Sequence, residues 1–260
     1  MSNKNLVIID DQDVLTEVED FNTSSFQFSG VSVDILESNE YTLVNLVLDM
    51  SGSVNSYYQE LISMIKTVIE TLRDPRAPFA ENILFRLVSF NNHVYEEHGF
   101  IPLTAINIDG YNSITSPTGA TALYDACINA AEATKVYGLN LTAQDYSVNA
   151  INIVVTDGGD NVSSKSAADV RALTKDLIQN EAVESIRSIL VGVNTSCQWS
   201  DVKQTLERFK IEGEFDQYID ISDATPSAMA GLSGFVSKSV SLQAQANGTG
   251  SASKPVPLTF

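Results

Sequence analysis

From residue 41 onward, short apolar runs alternate with stretches in which apolar residues return every three or four positions. Runs of the first kind read as strands buried on both faces, and the second kind as helices laid across them. Residues 43–48 form the first strand, and Leu61, Ile65, Val68 and Leu72 mark one face of a helix that Asp74-Pro75 stops. Residues 83–90 give a second strand, and Asn91-Asn92 predicts a tight turn into an antiparallel partner at 93–96, which would form an edge. An Ala-rich helix over 121–136, closed by Gly138, leads through a polar surface excursion at 139–149 to a third central strand at 151–155. Then come a helix at 166–179, a fourth buried strand at 186–193, a short helix at 199–209, a strand at 217–221 and a helix at 227–240. This interleaving predicts an α/β fold: a doubly wound, mostly parallel central sheet with helices on both faces and one antiparallel edge strand.

The two ends break the pattern. In residues 1–40 a short apolar run precedes an acidic stretch, and Phe26, Phe28, Val31, Val33 and Ile35 alternate around Gly30 as a hairpin does. Residues 243–254 are rich in Gly, Ser and Ala without any period, a flexible linker by composition, and Pro255-Val256-Pro257-Leu258-Thr259-Phe260 alternates after them. The expected division is an N-terminal extension over 1–40, a main domain over 41–240 and a flexible C-terminal tail over 241–260. Such a tail either stays disordered or docks as a tethered peptide in a groove or at a sheet edge. If it is free, removing residues 244–260 leaves the thermal midpoint in place.

Charge narrows the partners. The 260 residues include 33 acidic and 15 basic side chains, a formal charge of −18, which repels phosphate backbones and anionic lipid surfaces. Neither nucleic acid nor a membrane is an expected partner, and no apolar run reaches the roughly 20 residues of a bilayer span. The opening residues lack a long apolar secretion segment, so the expected location is the cytoplasm, or a particle assembled there. Cys127 and Cys197 make no disulfide framework and no thiolate metal site. His93 and His98, five apart, read as edge-surface histidines, and neither a Gly-rich phosphate loop nor Gly-x-Ser-x-Gly is present.

The chemistry concentrates where predicted strands break into loops. Asp49-Met50-Ser51-Gly52-Ser53 places one carboxylate and two hydroxyls at the end of the first strand; Thr118-Gly119-Ala120-Thr121 and Thr156-Asp157 add oxygens from two further loops. In a doubly wound sheet these loops converge on one crevice at the carboxyl ends of the strands. An ion held there mostly by hydroxyls keeps unneutralised charge and an open coordination position, able to grip an acidic side chain of another protein.

These residues resemble the von Willebrand factor A domain family, whose metal-ion-dependent adhesion site follows Asp-x-Ser-x-Ser with a distant Thr and a distant Asp. Residues 49–53 match the first element without departure, Gly119-Ala120-Thr121-Ala122-Leu123 is similar to the family's Gly-x-Thr-x-Leu loop, and Thr156-Asp157-Gly158 to its Thr-Asp-Gly. The resemblance covers about residues 41–240. It implies that Ser51 and Ser53 ligate the ion directly, Thr121 directly or through water, and that Asp49 and Asp157 hold coordinated waters. The ion would be Mg²⁺, or Mn²⁺ or Ca²⁺.

The resemblance implies a protein-interaction module rather than an enzyme. It could serve as an adaptor to an AAA-type ATPase, or as a structural component of a phage particle or other large assembly, joined by its terminal segments. A surface adhesin is disfavoured by the missing secretion segment. The competing enzymatic reading is a Mg²⁺-dependent phosphatase of the haloacid-dehalogenase type, with Asp49 as nucleophile. It fails at Ser51, where that chemistry needs a second Asp as general acid and base.

Overall fold

The computed structural model describes residues 4–8, 15–74, 76–77, 79–114, 116–197, 201–249 and 251–258. Its strands, numbered in chain order, are β1 (Lys4–Ile8), β2 (Leu15–Asn22), β3 (Gln27–Val31), β4 (Glu40–Asp49), β5 (Ile83–Phe90), β6 (Val94–Pro102), β7 (Ser147–Thr156), β8 (Ser185–Val193) and β9 (Gln217–Ile221). The helices are α1 (Tyr58–Leu72), α2 (Leu123–Thr142), α3 (Ala167–Gln179), α4 (Val202–Glu212) and α5 (Pro226–Gln245).

The strands line up in the order β1-β2-β3-β6-β5-β4-β7-β8-β9. From β5 through β9 every neighbouring pair is parallel, while β6 runs antiparallel to β5 across the turn at Asn91 and Asn92. The expected α/β architecture, a mostly parallel sheet with helices on both faces and an antiparallel strand after the Asn91-Asn92 turn, is therefore present, but that strand is not the edge expected of it, because β3 pairs with its far side. An antiparallel ladder of β1, β2 and β3 carries the order on past β6, joined to it through one pair, Gly30 opposite Phe100. The order in which strands are added reverses between β4 and β7, so the crevice at their carboxyl ends is the topological switch point of the sheet.

β4, β5 and β7 are buried almost along their whole length, which is why they read as continuous apolar runs. Side chains of α1 and α5 share one core with one face of the sheet, and those of α2, α3 and α4 cover the other.

Three further sequence expectations change. The alternation around Gly30 is not a hairpin tip: Gly30 lies inside β3 opposite Glu19, and the turn sits at Thr23–Phe26, where the Thr23 hydroxyl accepts from Phe26 N at 3.0 Å. Gly138 does not close α2, which runs on to Thr142 and leaves little of the expected excursion. A Cβ at 138 would lie 2.3 Å from the Ala182 carbonyl oxygen, so this glycine permits close packing between turns of chain. The helix expected at 199–209 begins at Val202; residues 199 and 200 lie outside the described residues.

The C-terminal segment, flexible by composition, is docked on its own domain. Helix α5 continues to Gln245; Asn247 then reaches the carbonyls of Tyr41 and Ser147. Gln243 accepts from Ser253 N at 2.9 Å, and Gln217 donates to the Val256 carbonyl at 2.6 Å. Val256 joins the core beneath α1 and α5 and is 4% exposed. Burying one valine is worth roughly 2 kcal/mol. Val256→Asp, or removal of residues 253–260, is therefore expected to lower the thermal midpoint by about 5 °C or more. An unchanged midpoint in a circular-dichroism melt would return the segment to the free-tail reading.

Candidate metal centre

Loops from three places meet at the switch point because their backbones are tied together. After β4, Met50 N donates to Phe90 O at 2.7 Å and Gly52 N to Gly119 O at 3.1 Å, while Thr118 N donates back to Met50 O at 2.9 Å. Gly119 has φ +78, and a Cβ there would lie 2.0 Å from Asn92 Oδ1, which accepts instead from Ala120 N at 2.8 Å. The loop after β7 is fastened to this one by a reciprocal pair: Thr121 N donates to Asn161 Oδ1 at 2.8 Å, and Asn161 N to Thr121 O at 3.1 Å.

Within this frame Asp49, Ser51, Ser53 and Asp157 form one continuous chain of contacts. Asp49 Oδ1 accepts from Ser51 N at 2.8 Å and its Oδ2 accepts from the Thr156 hydroxyl at 2.6 Å. The Ser51 and Ser53 hydroxyls are 3.1 Å apart, and Ser53 Oγ donates to Asp157 Oδ1 at 2.7 Å. Thr121 stands alongside: a Cβ added to Gly158 would lie 3.8 Å from its hydroxyl oxygen. Asp49, Ser51, Thr121 and Asp157 are buried while Ser53 is exposed, so the group opens to solvent on one side.

The electrostatics are those of crowded carboxylates. Burial pushes Asp49 up to about 7, against the Thr156 and Ser51 hydrogen bonds, and the nearby Asp157 charge adds to the rise. Asp157 is raised by burial too, with Ser53 and the Tyr57 hydroxyl holding it down. Among the described residues no ion pair involves Asp49. Nor, among them, is there a group of three or more His, Cys, Asp or Glu placed to hold a metal. The donors available here are two carboxylates and three hydroxyls, a set that fits a small, hard, oxygen-seeking cation such as Mg²⁺ and does not fit a thiolate- or imidazole-bound one.

Residues beyond the five expected ligands build this region, and no sequence motif assigned them this supporting role. Thr156 and Tyr57 hold the carboxylates; Asn92 and Asn161 lock the loops; Asp125 accepts from Ser164 N and Lys165 N, both at 3.0 Å, tying the post-β7 loop to the first turn of α2. Only the Asn-rich turn and the Thr-Asp-Gly-Gly-Asp-Asn run signalled them. The histidines stay outside: His93 is exposed at the hairpin, while His98 corrects the surface expectation. Its ring is held down at about 4 by burial, 2.8 Å from the Tyr111 hydroxyl. Cys127 is buried and free; the Cys197 side chain lies outside the described residues. Among the described residues no helix is long and apolar enough to cross a membrane.

No family model and no curated protein matches the sequence. Solved structures do match. Proximal thread matrix protein 1 from the mussel byssus superposes with a TM-score of 0.54 at 19% identity, over 80% of this chain and 48% of that one. This chain thus spans about half the length of the mussel protein, which has also been solved with a zinc-occupied MIDAS motif, at a TM-score of 0.50 and 20% identity over 81% and 47% of the two chains. The PilB minor pilin of Streptococcus sanguinis gives 0.53 at 13% identity over 87% and 74% of the two chains. The pilus adhesin SpaC of Lactobacillus rhamnosus GG gives 0.55 at 10% over 91% and 36%. At these identities the likeness carries the fold: a helix-flanked, mostly parallel sheet of the von Willebrand A type.

Proposed function

We propose that this chain is a divalent-metal-dependent protein-interaction module, without catalytic activity, whose switch-point crevice grips a carboxylate of a partner protein. The observation that carries the reading is the convergence of Asp49, Ser51, Ser53, Thr121 and Asp157 on one half-open group of oxygens. In this proposal Ser51, Ser53 and Thr121 supply hydroxyl oxygens to the ion, and Asp49 and Asp157 supply the negative charge that retains it. Thr156, Ser51 N and Tyr57 keep those two carboxylates oriented. When bound, a Mg²⁺ or Mn²⁺ ion would offer a coordination position to an outside carboxylate. The solved structures named above support this reading by fold, and the mussel protein's zinc-occupied motif is an example of a divalent ion held on a related scaffold. The terminal segments do not favour the alternative in which they act as connectors, because Phe28, Val31 and Val256 are buried in this chain's own cores.

Calorimetric titration with Mg²⁺ tests the ion, and capture of native partners with and without chelator tests its role. The apparent Mg²⁺ affinity should also fall with pH. Asp49 must lose its proton to serve, and burial places that proton at about 7. Below that pH each unit costs up to about tenfold in affinity, while above it the curve is flat. No heat of binding at pH 8, or capture indifferent to chelator, would remove the metal from the mechanism.

A further inference from the structure

We propose that the partner is held at a second point, resting on the metal-centre reading: a groove beside α2 that takes an apolar side chain three or four residues from the metal-bound carboxylate, on an otherwise basic segment. The groove has a volume of about 410 Å³, with Phe26, Val94 and Ile128 as its apolar lining and Asp125, Glu132 and Lys165 as charged groups. Its floor draws on three elements: the turn before β3, the start of β6 and α2.

The groove lies along α2, the helix that follows Thr121. Asp125 lies in the first turn of α2, four residues after Thr121, and holds the backbone of Ser164 and Lys165; Ser163 Oγ accepts from Asp125 N at 3.1 Å. The loop that carries Asp157 is thereby laid along the helix, and it presents Val162, 46% exposed. Ile128 lies five residues along α2 from Leu123, about 7.5 Å at the helical rise of about 1.5 Å per residue, and the step from Thr121 to Leu123 brings the span to roughly 10 Å or more. An extended peptide at about 3.3 Å per residue covers that span in three or four residues. That sets the spacing between the acidic and the apolar residue of the partner.

Charge sets the rest of the segment. Two carboxylates, Asp125 and Glu132, line the groove against one lysine, Lys165. A chain of formal charge −18 draws in a basic segment and repels one that is acidic throughout. One carboxylate for the ion, one apolar anchor and flanking Lys or Arg satisfy all three features together.

The test uses a phage-displayed library of random dodecapeptides, selected on the full chain in Mg²⁺ and eluted with EDTA. Enriched peptides are then synthesised and measured by fluorescence anisotropy against wild type, Val94→Glu and the isosteric Glu132→Gln, with Mg²⁺ titrated into each protein. The expected result is an Asp or Glu followed or preceded at three or four residues by an aliphatic or aromatic residue, with basic flanks. Val94→Glu should weaken these peptides at least tenfold and Glu132→Gln several-fold, with Mg²⁺ binding unchanged. Chelator-eluted peptides without that spacing, peptides bound equally by both variants, or no enrichment on a protein that binds Mg²⁺ would overturn the groove while the metal reading stands. Peptides that survive EDTA, or a chain that binds no Mg²⁺, would overturn the metal reading and the groove with it.

Discussion

Replacing Asp49 by asparagine is expected to reduce Mg²⁺ affinity at least 100-fold and at the same time to make the metal-free protein more stable above neutral pH. The two effects have one cause. Asp49 is 1% exposed, and its carboxyl is raised to about 7 mainly by the cost of burying its charge. A carboxyl whose folded pKa lies above its unfolded value binds its proton more tightly in the folded state. Stability therefore declines as pH rises from about 4 to about 7 and is flat beyond. A rise of about three units corresponds to a few kcal/mol. Asparagine keeps the shape, carries no charge and gives up one of the two acceptors that serve Ser51 N and the Thr156 hydroxyl, a loss of about 1 kcal/mol. In EDTA, urea unfolding should thus show wild type losing stability between pH 4.5 and pH 8 and the variant losing less, with a net advantage to the variant of roughly 2 kcal/mol at pH 8. Parallel pH profiles would contradict the buried-charge account; retained Mg²⁺ binding would exclude Asp49 from the centre.

The second large effect lies at the other side of the sheet. Arg86 on β5 is fully buried and pairs with Glu96 at 2.7 Å. It also donates to Asn45 Oδ1 at 3.3 Å and Asn129 Oδ1 at 3.0 Å, and its guanidinium lies 5.7 and 5.9 Å from the ring centres of Phe28 and Phe100. Glu96 in turn accepts from Ser29 N and Ser29 Oγ, both at 2.7 Å. One polar network thus fastens β3, and the ladder it belongs to, onto β6, β5 and β4. Truncation to alanine leaves Glu96 without its cation and opens space between two aromatic rings. Breaking a buried pair from one side costs about 3–5 kcal/mol. Arg86→Ala should therefore lower the urea midpoint sharply, and Glu96→Gln added to Arg86→Met should recover part of the loss. A change below about 1 kcal/mol would show that the network does not hold the N-terminal ladder.

What the sequence made legible follows from burial. Strands covered on both faces leave no polar alternation, so β5 is read at its full length and β4, β7 and β8 within a few residues, while β9 at the sheet's end is read in full from its alternation. The capping box of α3, in which Ser166 and Asp169 satisfy each other's backbone, marks that helix start from local chemistry alone. β2 escaped because its outward positions are Glu and Asp: Leu-Thr-Glu-Val-Glu-Asp-Phe-Asn looks like a solvated stretch until a partner strand is laid beside it. Of the two readings open for the tail, free or docked, composition favours the free one for a related reason. Gly and Ser content reads as flexibility, whereas what fixes the segment is Val256 with Leu258 against the core, a hydrogen bond from Gln217 to the Val256 carbonyl and one from Ser253 N to Gln243. At the candidate centre, short motifs named the five oxygens, but the locks on their loops are asparagines whose partners lie 28 and 40 residues away, so the motifs that contain them do not show what they hold.

The bond from Ser53 to Asp157 crosses 104 residues of sequence. Contacts of such separation are gained late in folding and depend on everything between them being in place. The top of the sheet is therefore complete only when the strands between those residues are in place. A polypeptide caught half-organised, or locally loosened between β4 and β7, has the motifs but not the grip. Any ligand that needs the assembled crevice would select finished copies from unfinished ones without a separate inspection step.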